Sequence, residues 1–210
     1  MNPIFDFFLK AYQDKSTFVI ILEAVVLVTG IASVWYAKKE NILVYPTGLI
    51  ATVISVYLLL LDKLYGDMMI NFYFSIMSIY GWWNWSRTEN NQKVVKISRT
   101  NTKEKMIGLG LFFLTVAFTY VVYSIFGNEI TISNYVDMVT SGMFFTAMWY
   151  MAKKKIENWM LWIIADIMTV PLYAYRGLGI LSFQYIIFTI LAIQAYFLWK
   201  KSLNNNQLIV

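Results

Sequence analysis

The run Trp159–Tyr175 reads WMLWIIADIMTVPLYAY, with a single charged residue, Asp166, almost at its centre. A helix over this run approaches the ~20 residues needed to cross a bilayer, so the carboxylate would sit near the midplane. Burying it there costs roughly 2.5–3.5 kcal/mol on the insertion scale. Intramembrane carboxylates face a bundle interior or a watery cavity, and they tend to mark a binding site or an ion path. The alternative is a carboxylate pinned in place by a neighbouring polar group.

Working outward, six more apolar runs of similar length appear: Thr17–Ala37, Ile42–Leu61, Met68–Trp85, Met106–Gly127, Ile130–Ala152 and Gly177–Trp199. With 59% hydrophobic and 14% charged residues in 210, the chain departs from the composition of soluble domains. The expected fold is therefore an all-α membrane protein with seven transmembrane helices. No loop is long enough for a second, soluble domain. A cleavable signal peptide is not expected, because Asp6, Lys10, Asp14 and Lys15 interrupt the first sixteen residues. Asn2-Pro3 reads as a helix start there, with Ile4, Phe5, Phe8 and Tyr12 on one face of a short interfacial helix.

The basic residues are sorted by junction. Lys10, Lys15, Lys63 and Arg176 fall on one side, and the other thirteen of 17 fall on the opposite side, from Lys38-Lys39 to Lys200-Lys201. The positive-inside rule then puts the N-terminus outside and the C-terminus in the cytoplasm. The net charge of +5 is thus a topology signal and implies no nucleic-acid partner. The densest part, residues 86–105, reads as a solvated cytoplasmic linker.

An internal duplication accounts for the odd number of helices. Glu23 precedes Trp35-Tyr36 as Asp137 precedes Trp149-Tyr150, and lysines follow each pair. Asn41 and Tyr45 align with Asn158 and Trp162, Thr52-Val53 with Thr169-Val170, and, after a three-residue shift, Trp85 with Trp199. A three-helix unit ends on the side opposite its start, so one extra span keeps a second copy parallel to the first. The expectation is a 3+1+3 arrangement with two parallel three-helix repeats. The segments are an interfacial N-terminus (1–16), repeat one (17–85), the basic loop (86–105), a linker helix (106–127), repeat two (130–199) and a tail (200–210). Parallel repeats are a transporter architecture, with substrate held near the midplane.

On a helix, Trp159, Trp162, Asp166, Thr169 and Tyr173 fall within about 80° of one another. Asn71, Ser75, Ser78 and Trp82 form a second stripe in the third run, and Gln184 and Gln194 lie on neighbouring faces of the last. Such groups either hydrogen-bond between helices or line a cavity. Trp35, Trp149 and Trp199, at span ends, read as interface anchors. Trp162, one turn from Asp166 and on its face, could be a flat wall beside a negative charge, a combination that suits flat aromatic cations.

The pieces Ile79-Tyr80-Gly81-Trp82-Trp83-Asn84-Trp85 and Glu157-Asn158-Trp159-Met160-Leu161-Trp162, with Glu23 and Ser182-Phe183-Gln184-Tyr185, resemble the PnuC family of bacterial vitamin transporters over about residues 20 to 200. The resemblance implies a fold similar to the SWEET sugar transporters, a homotrimer, and facilitated diffusion of a vitamin B precursor across the inner membrane. Phosphorylation inside would trap the cargo, best known as nicotinamide riboside, with thiamine and riboflavin in relatives. It also implies ligand contacts at Asn158, Trp159 and Trp162 and at polar positions of the third and seventh spans. The candidate set is those three with Asp166, Thr169, Asn71, Ser78, Trp82, Gln184, Gln194 and Glu23. Enterobacterial members carry asparagine where this chain has Asp166, and Glu and Asn where it has Gln184 and Gln194. Nicotinamide riboside and thiamine, both aromatic cations, suit Asp166 better than neutral riboflavin.

The chain has no cysteine and no histidine, which removes thiol chemistry, imidazole catalysis and the usual transition-metal sites. No enzyme activity, cofactor or metal is expected. A retinal protein would need a lysine in Gly177–Trp199, which has none. An ion-coupled symporter using Asp166 stands as the rival reading. Because native thiols are absent, a single Lys96→Cys should react with an impermeant thiol reagent only after cells are opened. Labelling in intact cells would reverse the charge-based orientation.

Overall fold

The computed structural model describes residues 15–61, 65–90, 92–126 and 130–207. The interfacial helix expected on Ile4, Phe5, Phe8 and Tyr12 lies outside these residues, as do Lys10 and Lys63. The described residues form seven α-helices: α1 (Thr17–Lys38), α2 (Val44–Leu61), α3 (Tyr65–Ser86), α4 (Thr102–Phe126), α5 (Ile132–Ala152), α6 (Glu157–Tyr175) and α7 (Gly179–Gln207). Each apolar run became one helix. Polar ends were under-read, since α4 starts at Thr102 and α7 continues to Gln207.

Four of them, α1, α2, α4 and α7, are long and apolar enough to cross a membrane by length and composition. The other three carry many of the buried polar groups: Ser75 and Ser78 on α3, Asp137, Thr140 and Ser141 on α5, Asp166 and Thr169 on α6; Thr115 and Thr119 on α4 and Ser182 and Gln184 on α7 are buried too. Outward side chains are apolar. Leu114 is 68% exposed and Val28 66%. An apolar surface of this extent suits lipid rather than water.

Packing follows chain order within α1–α2–α3 and within α5–α6–α7. Two further contacts, α3 on α5 and α7 on α1, close these six helices into a ring, with α4 outside against α5. Small residues set the α4–α5 distance. A Cβ on Gly108 would stand 2.2 Å from the Tyr150 hydroxyl, and one on Gly142 would stand 2.8 Å from the Phe112 ring. The Thr146 hydroxyl donates across this contact to the Gly108 carbonyl at 3.1 Å.

The α1–α2 and α5–α6 turns have the same hydrogen bonds. Lys39, Glu40 and Asn41 amides donate to Tyr36, Ala37 and Tyr36 carbonyls, and Lys153, Lys154 and Lys155 amides to Tyr150, Met151 and Tyr150. Both turns pass through the left-handed region, at Glu40 (φ 53°) and Lys154 (φ 52°). Corresponding atoms are 114 positions apart, as Glu40 and Lys154 are. The expected pairing of Asn41 with Asn158 and of Tyr45 with Trp162 does not hold at this turn: Lys155 stands where Asn41 does, and Trp159 where Tyr45 does. A tract of three lysines offers no landmark for counting, which is why the sequence alignment slipped.

The basic loop is not a free linker. After an antiparallel hairpin, β1 (Thr88–Glu89) and β2 (Gln92–Lys93), it turns back onto the α5–α6 turn. The Ser98 amide donates to Lys154 O (3.1 Å), and the Ile156 amide donates to Ser98 O (3.0 Å). The Thr100 amide donates to Glu157 Oε2 (3.0 Å), and Ile97 is buried.

Glu104 holds the end of this strap. It accepts from the Asn101 amide at 3.0 Å while Asn101 Oδ1 accepts from the Glu104 amide at 2.8 Å, a reciprocal cap for α4. Lys155 Nζ lies 3.0 Å from the same carboxylate. Burial alone would raise the Glu104 carboxyl, but the Asn101 amide and the Lys155 charge outweigh it and hold it below the usual carboxylate range. An acid depressed by folding stabilises the fold at neutral pH and loses that contribution as pH falls through its folded value. Glu104→Gln should therefore cost about 1 kcal/mol at pH 7, read as a lower Tm, and the gap to the parent protein should close in acid.

Candidate functional site

Helix geometry fixes what α6 can present. Seven residues separate Trp159 from Asp166, about 10 Å of rise, so this stripe runs from the basic end of the ring to mid-depth. Asp166 is 2% exposed, forms no ion pair among the described residues, and its Oδ1 has no hydrogen-bond partner there. The structural pin considered from sequence is thus not recorded at that oxygen. Thr169 is spent locally, its hydroxyl donating to Ala165 O at 2.8 Å. Pro171 lies inside α6 and has no amide hydrogen to donate to Ile167 O, the carbonyl next to Asp166 in sequence.

Trp162 is half-buried, and its Nε1 has no partner among the described residues. Its ring lies 5.3 Å from Phe144 of α5 and 6.2 Å from Phe74 of α3. Phe144 stacks in turn on Tyr185 of α7 (6.0 Å, 26°), and Tyr185 meets Tyr173 edge-on at 5.2 Å. Four helices therefore supply aromatic rings to one continuous lining beside the Asp166 turn. Tyr185 is within electrostatic reach of Asp166.

The other candidates divide. Asn158 and Trp159 are fully buried at the basic end, where Asn158 Nδ2 donates to Lys155 O and its Oδ1 has no partner among the described residues. Gln184 is buried against α1, with Nε2 3.3 Å from where a Cβ on Gly30 would stand. Asn71 donates back to Asp67 O at 2.9 Å, and Ser78 is buried near Gly48 of α2. Three candidates stand apart. Trp82 is 42% exposed on the outer face, Gln194 accepts from Lys38 Nζ at 2.8 Å, and Glu23 pairs with Lys15 at the opposite end.

Sequence reading missed Phe74, Phe144 and Tyr185. A phenylalanine inside an apolar run carries no signal of which way it faces, and only the crossing of α3 and α5 reveals it. Asp137, the second intramembrane aspartate, is different from Asp166: Tyr123 donates to its Oδ2 and Arg176 lies 3.6 Å away. It is a tie between α4, α5 and the α6–α7 junction. Among the described residues no cluster of acidic side chains could hold a metal ion.

A family model described as nicotinamide mononucleotide transporter matches residues 20–201. The nicotinamide riboside transporter PnuC of Escherichia coli is 26% identical, over 86% of this chain and 85% of that protein. Its counterpart in Neisseria mucosa is also 26% identical, over 86% of this chain and 72% of that protein. A crystal structure of the vitamin B3 transporter PnuC superposes with a TM-score of 0.70 at 23% identity, covering 94% of this chain and 86% of that one, which establishes a shared fold. With the match running from α1 into α7, the chain belongs to the nicotinamide mononucleotide transporter family.

Proposed function

We propose that the chain is a uniporter for a flat, cationic vitamin B precursor, nicotinamide riboside first among them. One observation carries this: a buried carboxylate, Asp166, with no cation and no donor at Oδ1, one turn from an aromatic wall. An uncompensated charge in an apolar site is costly, and a bound cation removes that cost. The names of the relatives supply the cargo, and thiamine, also an aromatic cation, is the alternative. Transport is downhill, with phosphorylation inside trapping the product.

The reading extends to architecture. All seven helices cross the bacterial inner membrane, with the N-terminus outside and the basic end of the ring in the cytoplasm. Helices α1–α3 and α5–α7 are parallel repeats around α4, and three chains assemble as the family resemblance implies. The ring supports the repeats, because exchanging α1–α3 with α5–α7 maps each of its contacts onto another. The matching turns fix the register, so Asp166 corresponds to Thr52, whose hydroxyl accepts from Ser75 at 2.8 Å. One half holds a satisfied hydroxyl at this level, and the other a carboxylate whose Oδ1 has no hydrogen-bond partner among the described residues.

The proposed contacts are Trp162, Asp166 and Gln184, with Asn158, Trp159, Thr169, Asn71 and Ser78 nearer the edges of the path. Trp162→Ala should weaken ligand binding by roughly 1–3 kcal/mol, the scale of a ring stacked on a base; unchanged affinity in a folded variant would make the indole purely structural. Asp166→Asn keeps size and removes charge. It should lower affinity for nicotinamide riboside much more than for its neutral reduced analogue, while leaving thermal stability equal or higher. A destabilised variant with unchanged relative affinities would sink the counter-charge. The same carboxylate favours one rival, the ion-coupled symporter. Uptake that follows an imposed proton or sodium gradient would replace the uniporter with it.

A further inference from the structure

Four buried aromatic side chains close the ring at its basic end: Tyr45, Trp85, Trp159 and Trp199. They form two matching edge-to-face pairs, Tyr45 with Trp85 (5.1 Å, 87°) and Trp159 with Trp199 (5.3 Å, 90°). Each member of one pair corresponds to a member of the other in the register of the turns. The pairs meet at Trp85 and Trp199, 6.1 Å apart. Tyr45 needs the glycine beneath it, since a Cβ on Gly81 would stand 2.2 Å from its ring.

The two turns clasp each other over this plug. Lys154 Nζ lies 3.0 Å from Glu40 Oε2 and 4.5 Å from the Trp85 ring centroid. Glu40 and Lys154 are themselves corresponding residues with matching backbone conformation. Burial draws the Lys154 ammonium below the usual lysine range, and Glu40 opposes that pull. The contact is therefore an ion pair at the pseudo-twofold axis between otherwise equivalent positions.

Around this axis the two closing seams differ. On the α3·α5 seam, Trp85 Nε1 donates to Met151 O (3.3 Å) and Ala152 O (3.2 Å), Asn84 Nδ2 to Ala152 O (3.0 Å), and the Tyr73 hydroxyl to Phe145 O (3.1 Å). The corresponding residues on α7 are Trp199, Leu198 and Ile187. Trp199 Nε1 has no partner among the described residues, and Leu and Ile side chains have no donor. The α1·α7 seam has instead the Lys38–Gln194 contact, in which Lys38 is buried and Gln194 is exposed. Trp159 Nε1 and the Tyr45 hydroxyl are likewise buried without a partner there. Closing the plug leaves three polar atoms unsatisfied, and opening it to water would satisfy them. The closed state is thus not a deep trap.

We propose that this plug is the cytoplasmic gate of the path, latched by Glu40–Lys154, with α7 and Trp199 as its moving wall and the α3·α5 seam as its hinge. This rests on the transporter reading. It gives Trp159 and Trp199 a closing role instead of a ligand-contact or interface-anchoring one, and it assigns different tasks to two sequence-equivalent tryptophans.

The test uses a Thr52→Cys reporter in the cysteine-free chain, seven residues deeper along α2 than Tyr45. An impermeant maleimide is applied from the cytoplasmic face of inside-out vesicles, and labelling rates are compared. Glu40→Gln and Trp199→Ala should each speed labelling about 5-fold or more, the change expected from ~1 kcal/mol in a two-state equilibrium. Glu40→Lys combined with Lys154→Glu should return it towards the parent rate, which also covers the case that a single variant folds poorly. Asn84→Leu, which cuts only the hinge seam, should change it little. Unchanged labelling in both Glu40→Gln and Trp199→Ala overturns the latch. Labelling in Asn84→Leu as fast as in Trp199→Ala overturns the assignment of the moving wall. Nicotinamide riboside binding is measured on the same variants: if the parent fails to bind it while the labelling pattern holds, the cargo reading fails and the gate stands.

Discussion

The last carbonyls of a helix have no partner within it and must find one elsewhere. At the end of α5 the turn's own amides take the Tyr150 and Met151 carbonyls, and α3 supplies the Ala152 carbonyl from the Trp85 indole and the Asn84 amide. Everything else in the ring depends on that join. It brings the first three helices against the last three, sets Trp85 under Lys154, and turns the α3 and α5 inner faces toward each other so that Phe74 and Phe144 converge on Trp162. Were it replaced by lipid, the polar faces of α3, α5 and α6 would have no aqueous or protein surroundings to sit in.

Much of this was legible in the sequence, because lipid imposes a harsh filter on composition. Each of the seven apolar runs became one helix, and a lone carboxylate in one of them could only point inward. Orientation about each helix axis was less legible. Helical spacing fixes the angle between Ser78 and Trp82 but not where their shared face ends, and the structure buries the serine while leaving the indole exposed. Gln194 was grouped with Gln184 by residue type, yet it meets Lys38 at the protein's rim. The loop after α3 read as solvated because its charges dominate its composition. The four residues that dock it, Ile97 to Thr100, act largely through backbone groups that no side-chain pattern announces.

The matching turns put the two halves of the ring in a common register, and their residues differ in a consistent direction. Tyr45, Thr52 and Gly81 occupy the positions of Trp159, Asp166 and Ala195. In the first half the Thr52 and Ser75 hydroxyls pair, while the second half has the Asp166 carboxylate and the larger Trp159 ring at the positions of Thr52 and Tyr45. Likewise Asn84 and Trp85 are tied down where Leu198 and Trp199 are not. On the gate and cargo proposed above, the second half would supply the ligand chemistry and the moving wall, and the first half the frame.

The strap over the α5–α6 turn has a consequence for the order of synthesis. Thr100 needs Glu157 as its partner, 57 residues later in the chain. At ~5–20 residues per second the loop waits about 3–11 s on the ribosome before its dock exists. During that interval Ile97 has no surface to pack against and the Ser98 and Thr100 amides have no acceptor on the α5–α6 turn. A chain stopped between α4 and α6 therefore leaves Ile97 and the Ser98 and Thr100 amides without the partners that bury and bond them in the finished fold. Docking of the strap thus marks a molecule whose α5–α6 turn has been made.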